Sequence, residues 1–167
     1  MRTAFLLTVF VLLELSCANE TTGPEPHRFD IVVRYGVLAK NALNTLENTV
    51  TKDLVLDGTV TAPLFLTPAD FDSIERWLKD VDIMSYPDTF VTPRADSTVL
   101  IAMFTPFDTY ALELHRDGWT KKVLWRDSIT PRGAKAENLR IFFSRMRELV
   151  ESQPVYLRLP PAQGGYL

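Results

Sequence analysis

Cysteine is nearly absent from this chain: one thiol in 167 residues, at Cys17. A lone cysteine excludes an internal disulfide and any zinc site built on two or more thiolates. Histidine is almost as scarce, with His27 and His115 only. Their separation bears no relation to the H-x-x-x-H spacing that sets two imidazoles on one helix face, so no metal is expected. Glycine is sparse too, and no glycine-rich loop follows an apolar run, so a phosphate cradle is missing and no cofactor is expected. Ser97, Ser128 and Ser144 lack the context of a nucleophile elbow. An excess of positive charge is also lacking: 18 Lys and Arg stand against 21 Asp and Glu, for a net charge of −3. Without a basic cluster, nucleic acid is excluded as the expected partner.

Long apolar runs are lacking as well. The longest, "AFLLTVFVLL" at residues 4–13, is ten residues. As a helix it would cover about 15 Å, half of a hydrocarbon core of about 30 Å. Arg2 precedes it, Glu14 closes it, and Ser16, Cys17, Ala18 and Asn19 follow. A positive start, a short apolar stretch and small residues are the three parts of a secretory leader. Two processing sites compete. In one, residues 1–16 are removed and Cys17 becomes a lipid-carrying N-terminus. "LSC" at residues 15–17 resembles the lipobox of bacterial lipoproteins, with Ser16 as its small residue and Glu14 where that family has an aliphatic one. In the other, cleavage after Ala18 releases a soluble, cysteine-free chain. Lipidation at Cys17 is the reading adopted, because a solitary thiol at the end of such a leader is what that processing needs. Residues 17–27, polar and holding Gly23, Pro24 and Pro26, then read as a tether.

Residues 28–167 read as one α+β domain. Phe29, Ile31, Val33 and Tyr35 alternate with Asp30, Val32 and Arg34, which predicts a strand. The Asn-rich stretch at residues 37–48 favours a connection. Asp57-Gly58 and Asp117-Gly118 each predict a tight hairpin. Thr67, Pro68 and Asp70 mark a helix start, and Phe71, Ile74, Leu78 and Val81 follow on one face. Residues 99–104 are apolar on both faces, which predicts a central strand. Leu139, Phe142, Phe143, Met146, Leu149 and Val150 form the stripe of a second helix, with Arg140, Ser144, Arg147 and Glu151 facing away. The proline- and glycine-rich tail at residues 153–167 is expected to be irregular, with Tyr156, Leu157 and Leu159 packing it down. Hairpins join antiparallel strands, so the expected architecture is an antiparallel sheet of about six strands with two amphipathic helices on one face.

Three groups of residues are candidates for chemistry. Lys52 and Asp53, with Tyr35 and Lys40, form a polar set in an Asn- and Thr-rich region. Such amides and hydroxyls suit a polar ligand such as glycan, or equally turn caps and an exposed strand face. Asp80, Asp82 and Asp88 lie close in sequence but lack the glycine and final glutamate of a calcium loop. Trp77, Trp119 and Trp125 divide by position: Trp125 is expected in the core, while Trp77 and Trp119 would form a contact surface if exposed.

"YGVLAKNALNT", "TVTKDLV", "SYPD" and the closing "LPPAQGGYL" resemble a group of small uncharacterised bacterial proteins, secreted or lipidated. The resemblance covers residues 29–167. It implies a bacterial envelope setting and transfers no site residue. The functional expectation is a cell-envelope lipoprotein, more a binding or structural module than an enzyme. Its partners would be the membrane through the Cys17 lipid, and an envelope protein or cell-wall glycan. The alternatives are a secreted hydrolase working through carboxylates or a lysine, and an inhibitor or immunity-type protein.

Overall fold

The computed structural model describes residues 29–92, 102–103, 105–130 and 133–167. The strands are β1 (Asp30–Tyr35), β2 (Asn41–Asn44), β3 (Thr49–Val55), β4 (Gly58–Pro63), β5 (Thr89–Phe90), β6 (Ala102–Met103), β7 (Thr109–Arg116), β8 (Trp119–Arg126) and β9 (Ile129–Thr130). Seven of them form one open sheet in the order β4-β3-β2-β1-β7-β8-β5, and β6 pairs with β9 in a separate ribbon. Every pairing in the large sheet is antiparallel except that of β5 with β8. The fold is α+β, as the sequence pattern predicts.

Side chains alternate across a strand, so register decides which residues share a face. Val33 lies between Leu43 and Leu112, and Leu112 faces Val123. Ile31 faces Leu114, and Tyr110 faces Trp125. All of these are buried in one continuous cluster, whereas Val32, Arg34, Glu113 and His115 point to the other face. The β7–β8 turn has Asp117 at φ +48° and Gly118 at +79°. That pair of left-handed residues is what a two-residue hairpin demands, and Arg116 accordingly pairs with Trp119.

Two long helices cover the buried face. Helix α1 (Pro68–Asp80) opens with a capping box. The Thr67 hydroxyl accepts from the Asp70 amide at 3.2 Å, and the Asp70 carboxylate accepts from the Thr67 amide at 2.8 Å. Helix α2 (Ala134–Glu151) buries Leu139, Phe142, Phe143, Met146 and Val150. Phe143 stacks on Tyr110 with ring centroids 4.5 Å apart, and Tyr110 stacks on Trp125 at 5.4 Å. A short helix α3 (Pro154–Leu157) follows and buries Tyr156.

Several expectations need correction. The Asn-rich connection contains β2, whose four residues are too short to show a period. At the centre of the seven-stranded sheet lies β1; the expected central strand at residues 99–104 is described only in part. Of that segment, the described pair Ala102–Met103 belongs to the β6–β9 ribbon, with Met103 77% exposed, and the remainder lies outside the described residues. The tail is not wholly irregular, because Pro154 starts α3 where its fixed φ suits a first helical turn. Leu157 does not pack down; it is exposed, while Tyr156 and Leu159 do the packing.

Phe143→Ala removes a ring that is 1% exposed and stacked against the sheet. Its expected cost is about 3–5 kcal/mol, by analogy with other buried Phe truncations. Urea titration should show the midpoint falling with the slope unchanged; an unaltered midpoint would refute this packing.

Candidate functional site

The Lys52, Asp53, Tyr35 and Lys40 set does not assemble into one cleft. Asp53 sits at the irregularity where β3 leaves register with β4. Its carboxylate is buried and occupied: Oδ1 accepts from the Val55 amide at 3.0 Å, and Oδ2 from the Tyr166 hydroxyl at 2.5 Å. Its amide donates to Asn41 Oδ1 at 2.9 Å. The Lys40 ammonium lies 5.0 Å from the centroid of the Tyr166 ring. Asp53 therefore fastens the C-terminal tail to β3. Lys52 points to the helix side, where its ammonium lies 4.8 Å from the Tyr156 ring.

Tyr35 belongs to a second polar group that joins the sheet to α2. The Arg147 guanidinium covers its ring at 5.2 Å and donates to Asp108 Oδ2 at 2.8 Å. The Tyr110 hydroxyl donates to the same oxygen at 3.0 Å. Burial, reinforced by the Asp108 carboxylate, pushes the Tyr110 hydroxyl far above the ordinary tyrosine range. Burial does the same to Tyr35, with the Tyr156 and Glu151 groups adding to it. Burial followed by Glu151 pushes Tyr156 up to about 12. These three phenols are therefore protonated at neutral pH, and Arg147 is charged. A general base must shed its proton near the working pH, and this cluster holds no phenol able to do so. It is a structural lock.

Neither arginine could be placed by its helical position alone. Arg140 and Arg147 were expected to face away from the core. Arg147 instead reaches back to Asp108, and Arg140 grips the fully buried Asp127 through Nε at 2.8 Å and Nη2 at 2.6 Å. Both lie beside the apolar stripe, and the carboxylates that hold them come from residues distant in sequence. The three candidate aspartates go separate ways. Asp80 pairs with Arg145 at 3.6 Å, Asp88 with Lys121 at 3.2 Å, and exposed Asp82 precedes the 3₁₀ turn at Ile83–Ser85 without a side-chain capping bond.

The tryptophans separate as their positions suggested. Trp125 is fully buried, and its indole donates to Thr92 at 2.8 Å. Trp77 is half-buried beside a cavity of about 190 Å³ between α1 and α2. Trp119 is 38% exposed and stands between two depressions. One, of about 280 Å³, is lined by Leu78, Ile83, Met84, Leu114 and Arg116. The other, a groove of about 400 Å³, is lined by Phe29, Asp30, His115, Arg116, Asp117 and Thr120.

His115 and Arg116 both line that groove, from opposite faces of β7, at the end of the sheet opposite Tyr35. Asp30 pairs with His115, and Tyr35 is five residues further along β1, about 17 Å at the usual strand rise. His115 Nδ1 is 3.0 Å from the Thr120 hydroxyl, while Nε2 is buried, 3.8 Å from the Glu113 carboxylate and without a hydrogen bond. Arg116 donates from Nη2 to Glu75 at 3.0 Å and lies 5.0 Å over the Phe29 ring, but its buried Nε has no acceptor. The sequence pointed to Trp119; nothing in it signalled the unpaired nitrogens next door. Cys17 and His27 lie outside the described residues. No helix among the described residues is long and apolar enough to cross a membrane.

Comparison with known proteins finds no family model, no curated protein and no solved structure that matches this chain.

Two outcomes follow from these geometries. The Tyr35 hydroxyl is buried and shares its polar surroundings with the Tyr156 hydroxyl. Tyr35→Phe leaves the packing intact and removes only that phenol–phenol contact, so the expected loss is about 1 kcal/mol or less, the size of one neutral hydrogen bond. A loss above about 2 kcal/mol in chemical denaturation would refute so weak a contact. Glu75 shows the acid response. Burial raises its pKa, but hydrogen bonds from Lys79 and Arg116 outweigh this and hold it below the ordinary glutamate value. A depressed carboxylate stabilises above its unfolded pKa and loses that contribution as pH falls. Glu75→Gln should therefore cost stability at pH 7 and shrink that cost below about pH 4, as read from melting temperatures across pH; a pH-independent difference would refute the pairing.

Proposed function

We propose that this chain is a bacterial cell-envelope lipoprotein, anchored through lipid on Cys17, whose α+β domain is a binding module. The observation that carries the reading is the leader ending at a solitary cysteine, followed by a short polar link to the strand that begins at Asp30. Each buried methylene contributes about 0.8 kcal/mol, so one acyl chain binds a bilayer weakly and two or three hold it stably. The link from Cys17 to Phe29 spans at most about 40 Å when fully extended. The domain then works within a molecule's width of its membrane, on an envelope protein or a cell-wall glycan.

The charge states support binding over catalysis. The candidate carboxylate Asp53 is occupied by the tail, and the three phenols around Arg147 keep their protons. Lys52, Asp53 and Tyr35 lie at the far end of the sheet from His115, so no single substrate reaches all four.

Expression of the full chain in a bacterium, followed by intact-mass analysis and detergent phase partitioning, tests the anchor. The expected result is a mature chain starting at a diacylated or triacylated Cys17 that enters the detergent phase. Cys17→Ser should move it to the aqueous phase. An unmodified N-terminus at Asn19, or unchanged membrane binding by the serine variant, overturns the proposal.

A further inference from the structure

We infer that two copies of this chain pair through the free edge of β4, antiparallel about a two-fold axis at Val60, so that their sheets join into one. This is independent of the lipid on Cys17 and of what the domain binds.

Register decides where the backbone groups of β4 point. In an antiparallel ladder, pairs that exchange hydrogen bonds alternate with pairs that do not. The Leu64 amide donates to the Asn48 carbonyl at 2.8 Å, one step beyond the Thr49–Pro63 pair. Val50–Ala62 and Lys52–Val60 are therefore the bonded pairs, and Thr49–Pro63, Thr51–Thr61 and Asp53–Thr59 are the others. Two further facts agree. Pro63 has no amide hydrogen to give β3, and the Asp53 amide points away from β4, to Asn41 Oδ1 at 2.9 Å. Thr59 and Thr61 thus turn their N–H and C=O groups away from β3. Because β4 ends the sheet, these groups have no partner among the described residues. Both threonines are exposed.

An open strand edge is a template for another strand, and chains blunt it with charge, brevity or proline. The opposite edge, β5, is two residues long. On β4 the blunting is confined to Pro63: residues 58–67, "GTVTAPLFLT", carry no charge. A neutral edge meets its own copy without opposing like charges. Centred on Val60, antiparallel pairing sets Thr59 of each copy against Thr61 of the other. Each of the two threonine pairs exchanges two hydrogen bonds, and nothing is asked of Pro63, whose missing N–H ends the ladder. On the helix side the two half-buried Val60 side chains meet across the axis. Large apolar side chains flank the strand, with Leu56 75% exposed and Phe65 72% exposed. The same two-fold brings Phe65 of each copy to the β3–β4 turn of the other, where Leu56 stands, so apolar surface is covered at both ends. An unrelated peptide would have to supply both apolar ends in reverse order. Pairing of β4 with β5 would propagate into a filament, whereas pairing of β4 with itself closes at two. A six-residue strand is about 20 Å long, a strip short of the roughly 800 Å² per partner of a standard interface, so the dimer should dissociate on dilution.

The test uses the full chain carrying Cys17→Ser, in density-matched detergent, read by sedimentation velocity across concentration with amide hydrogen exchange alongside. The expected result is a monomer–dimer equilibrium in which the Thr59 and Thr61 amides gain protection as the dimer forms. Thr61→Pro removes an amide hydrogen that β3 does not use and should abolish the dimer, with circular dichroism unchanged. Thr61→Lys keeps that amide; it should weaken the dimer roughly fivefold at low salt and recover part of it at high salt. Phe65→Ala should weaken it about tenfold. Val60→Cys places two Cα atoms about 4.5 Å apart across the axis, within disulfide reach, so mild oxidation should double the mass. Ser144→Cys, exposed on α2, should not cross-link. The lysine variant and the Val60→Cys cross-link decide the matter should the proline variant not fold. A monomer at every concentration, a dimer that survives Thr61→Pro, or cross-linking at Ser144→Cys but not at Val60→Cys overturns the inference. So does a monomer whose Thr59 and Thr61 amides are protected only by added envelope extract, which would give this edge to another protein. Because the serine variant cannot carry the lipid, failure of the dimer leaves the anchor standing, and failure of the anchor leaves the dimer standing.

Discussion

Tyr110 lies between Trp125 and Phe143, and that stack couples the sheet to its main helix. Trp125 belongs to β8, Tyr110 to β7 and Phe143 to α2, so three elements depend on one column of rings. Phe90 and Phe142 meet the same column edge-on from either side. Rings of this size bury the largest apolar areas available to a chain, and their offset geometry admits few alternatives. Once the column is set, the hydrophobic stripe of α2 has one rotational setting on the sheet. The capped α1 then closes the remaining apolar area with Phe71, Ile74 and Leu78.

Polar contacts at the flanks of α2 refine what the rings establish. Arg147 and Arg140 are seven residues apart, two turns of the same helix, and reach Asp108 and Asp127 respectively. Each carboxylate flanks one of the paired strands, just before β7 and just after β8. Asp127 is fully buried, so its charge is tolerable only with a guanidinium held against it. The same pairing that compensates this burial also fixes how far α2 slides along the sheet. At the other edge, Asp53 holds the tail through Tyr166, and Gln163 bonds to Leu54 and Leu56 across the same strand. Three carboxylates thus act as fasteners between elements.

Much of this was legible because it is periodic or local. The Thr67–Asp70 capping box, the stripe of α2, the Asp117-Gly118 turn and the burial of Trp125 all follow from patterns within a few residues, whereas the β3–β4 hairpin turns one residue early, at Leu56 and Asp57, with Gly58 already paired to Val55. What stayed illegible depends on distant partners. Strand β2 is four residues flanked by asparagines, and only its neighbours β1 and β3 make it a strand. The centre of the sheet goes to β1, which pairs with β2 on one side and the eight-residue β7 on the other, while the described part of the apolar segment, Ala102–Met103, pairs with β9. Arg140 and Arg147 read as solvent-facing because helical spacing cannot reveal a carboxylate on another element. The candidate site was legible by half. Position next to a hairpin turn marked Trp119 as a contact residue, but the unpaired nitrogens of His115 and Arg116 exist only after β1, β7 and β8 are in register.

The helix side carries the ring column and the ion pairs, and substitutions there act on folding. The groove residues His115, Asp117 and Trp119 sit on the hairpin connecting β7 to β8, where the backbone is fixed by an Asp-Gly turn, while Arg116 beside them is tied to α1 through Glu75. A site built this way can change its side chains at small cost to the fold, because the turn and the strand ladder hold the geometry independently of them. Phe29 lines the groove and is the first of the described residues, so a tether from Cys17 would hold this end of the sheet toward its anchor and the Asp53 end away from it.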